Sequence, residues 1–211
     1  MRQERGSASS KLSWGEKNRA VGRIFLEHAL LVSEVMVALE LACRQSGSIR
    51  LISEEELFQE KAIEVRSPFQ WRVKIQGSGN LGVVPDRVFA LEFPDEKGKN
   101  RIHFFLEADR GTMPVKRRHL YQTSMYRKFL AYEATWSQSI HQKKFGFNRF
   151  RVLTVTASAT RVKSLVEACA GLKRGHGLYL FADRTILEKP ESILSTTWST
   201  GRRDETTTLL S

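Results

Sequence analysis

Three carboxylates in this chain are placed where they could do chemistry: Asp86, Glu107 and Asp109. Asp86 follows Pro85 inside a strand-like run from Leu81 to Phe93, and the other two acids end a second run from Arg101 to Asp109. A turn-rich stretch, Pro94 to Asn100, lies between the runs, so they should form a hairpin. A turn centred between Glu96 and Lys97 sets Asp86 directly opposite Glu107, on one face of the sheet. Asp109, two residues further on, falls on that face too. Opposed carboxylates repel unless something compensates them. A hard divalent cation would do so, because Mg²⁺ takes oxygen ligands, commonly one or two carboxylates with water and phosphate. Neighbouring Lys or Arg side chains would do so as well.

Lys128 and Tyr132 stand one helical turn apart in the stretch that follows and so share a face. They belong to a run that mixes cations with aromatics: Lys116, Arg117, Arg118, His119, Tyr121, Tyr126 and Arg127 precede Tyr132, and Lys143 and Lys144 follow it. Such groups suit phosphate neutralisation and base stacking. An amphipathic helix with a basic outer face would have the same composition. Arg110 and Thr112, just after the acids, could meet phosphate or shape the exit from the strand. His28 falls in an apolar stripe and is expected to be a hydrogen-bonded core residue; Glu34, on the rim of that stripe, is expected to be solvated.

The elements that must position these groups are legible from periodicity. Apolar residues from Val21 to Leu39 recur at helical spacing, which predicts a long helix over Asn18 to Gln45, ended by Ser46-Gly47. Ser53 and Glu56 form a capping box for a short helix through about Lys61. Phe69 to Gln76 reads as a strand, turned by Gly77-Ser78-Gly79-Asn80 into the hairpin runs. A basic helix lies between Pro114 and about Gln138, followed by a strand at Arg151 to Ala157, a helix at Thr160 to Lys173 and a strand at Gly177 to Ala182. Consecutive strands with short turns predict an antiparallel meander, and strand–helix–strand alternation predicts parallel pairing. One mixed α/β sheet flanked by helices accommodates both.

The 211 residues, 41% of them hydrophobic, suffice for one sizeable core. Residues 1–17 read as a flexible basic arm, 18–200 as the domain and 201–211 as a polar, frayed tail. With 34 Lys and Arg against 23 Asp and Glu the net charge is +11, which favours a polyanionic partner because neutralised phosphates release condensed counterions. Cys43 and Cys169 lie in helix-like apolar stretches without metal-ligand spacing, as buried thiols in a reducing compartment do. No apolar run reaches the roughly 18 residues of a membrane span and no signal-peptide core opens the chain. The expectation is a cytoplasmic protein with no membrane partner.

Pro85-Asp86 followed by Glu107-Ala108-Asp109, within this order of elements, resembles the PD-(D/E)XK phosphodiesterase superfamily. Over most of its length the chain also resembles the bacterial replication-relaxation family of plasmids and mobile elements. The resemblance rests on Phe25-Leu26-Glu27-His28, Val84-Pro85-Asp86, Phe105 to Thr112, Lys128 with Tyr132, and Val152 to Thr156. It implies a nuclease-like fold, DNA as partner together with plasmid replication or transfer proteins, and Mg²⁺ or Mn²⁺ held by Asp86, Glu107 and the Ala108 carbonyl. Asp109 takes the place of the lysine that ends the superfamily motif, and Lys128 stands where RecB-type relatives carry Gln ahead of Tyr132. Lys128 would then supply the displaced cation. The implied catalytic set is Asp86, Glu107, Asp109 and Lys128; the implied DNA contacts are Arg110, Lys116, Arg117, Arg118, Lys128, Tyr132, Lys143 and Lys144. The alternative is a nuclease fold kept for binding, with hydrolysis lost. Members carry a winged helix ahead of this region, and this chain begins too late to hold a full one.

Overall fold

The computed structural model describes residues 14–59, 69–75, 79–95 and 98–210. Residues 1–13 of the expected arm, the end of the capped short helix and the centres of both predicted hairpin turns lie outside them. Helix α1 spans Trp14–Ser46, so residues 14–17 form its first turn. Leu31, Val32, Val35, Leu39 and Ala42 recur on its buried stripe. Gly47 ends it: with φ at 66° it occupies the left-handed region that glycine enters without strain, and its N–H closes on the Cys43 carbonyl at 3.3 Å.

Strand β1 (Arg50–Ile52) leads into α2 (Glu54–Gln59), which opens with the capping box. Ser53 Oγ accepts from the Glu56 N–H and Glu56 Oε1 from the Ser53 N–H, both at 3.2 Å. Among the described residues, strands β2 (Trp71–Ile75) and β3 (Gly79–Val83) pair only with each other, which corrects the single meander. Pro85 has no N–H and cannot continue a ladder, so the long run splits into β3 and β4 (Arg87–Asp95). The first hairpin is thus released to pack beneath the sheet.

The remaining elements are β5 (Gly98–Asp109), α3 (Met125–Ser137), α4 (Ile140–Phe145), β6 (Phe150–Thr156), α5 (Ala159–Cys169), β7 (Tyr179–Asp183), β8 (Trp198–Thr200) and β9 (Thr206–Thr207). They complete a seven-stranded mixed sheet in the order β1-β4-β5-β6-β7-β8-β9. The β5-β6-β7 centre is parallel and the flanking pairs are antiparallel. Alternation splits the core between the two faces. Val88, Ala90, Phe105, Val152 and Phe181 face α3, α5 and the β2–β3 hairpin, whereas Phe89, Leu91, Phe104, Leu106 and Leu153 face α1.

The stretch from Arg202, expected to fray, is folded. The chain turns at Asp204 (φ 56°), returns as β9 and buries Leu209 completely, while the Arg203 fork grips Glu167 at 2.7 and 2.9 Å. Both cysteines are buried and free, and burial pushes the Cys43 thiol up to about 11 and the Cys169 thiol to about 12. Among the described residues no helix is long and apolar enough to cross a membrane.

Candidate functional site

The hairpin register falls where the sequence sets it. Arg87 pairs with Leu106 and Val88 with Phe105, so the next position outward faces Asp86 toward Glu107. Strand β4 has ended there, and Asp86 continues the ladder with its side chain. Its N–H donates to the Leu106 carbonyl at 2.9 Å, and its Oδ2 accepts from the Ala108 N–H at 2.7 Å. The other oxygen, Oδ1, lies 3.2 Å from His28 Nε2 of α1. His28 is therefore no core residue; it ties α1 to the acid.

Glu107, 3% exposed, is met by α3. Ser124 caps α3 by accepting from the Arg127 N–H at 3.2 Å. The helix then presents Lys128 and Tyr132 to one carboxylate: Lys128 Nζ donates to Oε2 and the Tyr132 hydroxyl to Oε1 at 2.6 Å. Tyr132 is fixed between Phe105, stacked at 5.6 Å, and the Trp71 edge at 6.2 Å. Trp71 Nε1 in turn donates to Thr135 Oγ1 at 2.8 Å.

Burial pushes the Glu107 carboxyl above its ordinary range, against the pull of the Lys128 ammonium and aided by the Asp86 charge. Lys128 is pushed down by burial, but Glu107, Asp86 and Asp109 outweigh that and hold its ammonium above the ordinary lysine range. Burial and the Glu107 charge raise the Tyr132 phenol well above its usual value. It remains a donor.

Asp109 shares the face of Glu107 but has other company. Arg161 Nε donates to Oδ2 at 2.8 Å and its second nitrogen to Oδ1 at 3.3 Å. The Thr156 hydroxyl adds a bond at 2.8 Å and the Gly111 N–H one at 3.1 Å. Both oxygens are engaged, and the arginine anchors α5 to the end of β5.

A cleft of about 360 Å³ opens over these groups, walled by Phe25 and His28 of α1, Glu107, Arg110, Met125 and Lys128. Ala108 also lines it, its N–H committed to Asp86. Among the described residues no three His, Cys, Asp or Glu side chains gather to hold a metal ion. Lys128 and Tyr132 occupy both Glu107 oxygens, and Ala108 and His28 both of Asp86. In this arrangement the donor set does not fit a divalent cation; an ammonium already fills the role of counter-charge.

The expected DNA contacts come from several different elements. Lys116 to Arg118 lie in the loop before α3, because the helix begins only at the Ser124 cap. There Lys116 Nζ sits 4.8 Å from the centre of the Tyr126 ring, Arg117 donates to the Thr123 carbonyl at 3.1 Å, and Arg118 is exposed. His119 stacks on Tyr121, itself 77% exposed. Lys143 and Lys144 are in the last turn of α4, which follows the C-terminal end of α3; Lys144 donates to the Gln70 carbonyl at 2.7 Å. Tyr132 is fully buried and cannot touch a nucleic acid, which corrects that contact. Arg110, its side chain mostly covered, pairs with Glu27 at 2.6 Å. One participant was missed from sequence, Arg161. The signal for Arg161 was its place one turn past the Ser158 cap, at the end of a strand whose parallel register sets Thr156 beside Asp109.

The fold that carries these buried acids, each held by a lysine or an arginine, is a mixed α/β sheet flanked by helices. Residues 3–149 match the replication-relaxation family, and the chain belongs to that family. No curated protein and no solved structure matches it.

Proposed function

We propose that this chain is a DNA-associated protein of plasmid or mobile-element replication, built on a PD-(D/E)XK-like core and holding DNA without cutting it. One observation carries the reading: every acid of the expected catalytic set is already compensated from within, Glu107 by Lys128 and Tyr132, Asp86 by Ala108 and His28, and Asp109 by Arg161. Membership of the replication-relaxation family and the net charge of +11 support DNA as the partner. Plasmid replication or transfer proteins are further candidate partners on the same ground.

A second reading, a Mg²⁺- or Mn²⁺-dependent DNA phosphodiesterase, is favoured by the nearness of the Asp86 charge to Glu107, which lines an open cleft with Lys128 at its wall. It requires Lys128 to leave Glu107. Nicking of supercoiled plasmid with either metal, alongside gel-shift binding, separates the two. The expected result is salt-sensitive binding with no nicking by wild type, Asp86→Ala or Glu107→Ala. Nicking by wild type that both substitutions abolish would establish the phosphodiesterase, and no binding at low salt would overturn both readings.

A further inference from the structure

Beside the acid cleft, and sharing Arg110 and Thr112 with it, lies a second cavity of about 280 Å³. It sits at the carboxyl ends of the parallel strands: Arg110 follows β5, Thr156 ends β6 and Arg184 follows β7. Ligands of open α/β sheets bind in this position. Two arginines reach it from different strands, and each is met by a glutamate of α1. Arg110 holds Glu27 at 2.6 Å, and Arg184 lies 3.5 Å from Glu34. Glu27 and Glu34 are seven residues apart, two turns on one side of the helix.

Guanidinium groups recognise carboxylate and phosphate through the same fork. Two carboxylates on two arginines in a strand-end cavity therefore occupy places that phosphate oxygens would fill. The hold of α1 at this point is light. Its packing into the core starts at Leu31, whereas Ile24, Phe25 and Leu26 are more than half exposed. Both glutamates are half-exposed as well, so exchange of one anion for another costs little burial.

We propose that Arg110 and Arg184, with the Thr112 hydroxyl, form a binding subsite for a phosphodiester phosphate of the DNA backbone, and that Glu27 and Glu34 are its built-in competitors. The proposal rests on DNA as the partner of this chain. It adds a location: one backbone phosphate lies at the Arg110–Arg184 cavity, beside the acid cleft. Sequence inspection did not single out Arg184, and it read Glu34 as an ordinary solvated acid.

The test is binding of a fluorescein-labelled oligonucleotide over a range of salt concentrations, with Arg184→Gln and with the Glu27→Gln/Glu34→Gln pair. Arg184→Gln should weaken binding and reduce the slope of log affinity against log salt by about 1. The glutamine pair should tighten binding, by roughly two- to fivefold, by freeing both arginines. That gain cannot come from a misfolded protein. Unchanged affinity in all variants of a chain that does bind would overturn the subsite and leave DNA association standing. If no variant binds DNA, the DNA reading fails and orthophosphate decides the subsite. Movement of the Arg110 and Arg184 Nε–H resonances on titration would retain a phosphate site, and their constancy would end it.

Discussion

Glu107 and Asp109 are neighbours on one strand and one face, both nearly sealed from solvent, yet the protein treats them differently. Asp109 receives a two-pronged arginine, a hydroxyl and a backbone N–H, and three of the four bonds come from groups that hold other elements in place. Glu107 receives one ammonium and one phenol from a single helix, with a second carboxylate near enough to raise its proton affinity. A buried charge met on all sides is a fastener. One met by a flexible amine and one phenol beside an open cleft keeps the capacity to change partner or protonation state.

Arg161→Ala should be the most damaging change, because it strands the Asp109 charge and unties α5; a loss of about 3–5 kcal/mol is expected in chemical denaturation. Lys128→Met should cost less near neutral pH, about 2–3 kcal/mol, since Glu107 can take up a proton where Asp109 loses its whole framework. Its signature is pH dependence. With the ammonium gone, burial holds the Glu107 carboxyl further above its unfolded value, so the folded state favours the protonated acid. Stability from that preference is present below the ordinary carboxylate range and is lost as pH rises through the raised value. The deficit of Lys128→Met should therefore shrink on acidification, and a deficit constant between acid and neutral pH would mean that Glu107 is as fixed in its charge as Asp109. Tyr132→Phe should be mildest, about 1–2 kcal/mol by thermal denaturation, because it removes one hydrogen bond and keeps the ring between Trp71 and Phe105.

The hairpin and its acids could be read from sequence because a turn centre and strict alternation determine which residues oppose. The helical pair Lys128 and Tyr132 was legible for the same local reason. What could not be read depends on contacts remote in the chain. Arg161 reaches Asp109 across 52 residues, and only the parallel register of β5 on β6 brings them together. His28 meets Asp86 because α1 lies over the end of β5, which no periodicity within α1 reveals. The loop of Lys116 to Arg118 shares the composition of a basic helix; the Ser124 cap decides that the helix starts after it. Pro85 is visible in the sequence as part of a motif, but that it detaches the first hairpin depends on where β2 and β3 pack.

The match to the replication-relaxation family stops at Arg149, one residue before β6 begins. Strands β6, β7, β8 and β9 are four of the seven in the sheet, and β5 is hydrogen-bonded to β6 along its second half. A fragment cut where the similarity ends would bare the β5 edge as a template for intermolecular pairing and would discard the arginine that neutralises Asp109. The sheet that holds the site thus extends well past the stretch by which its family is recognised.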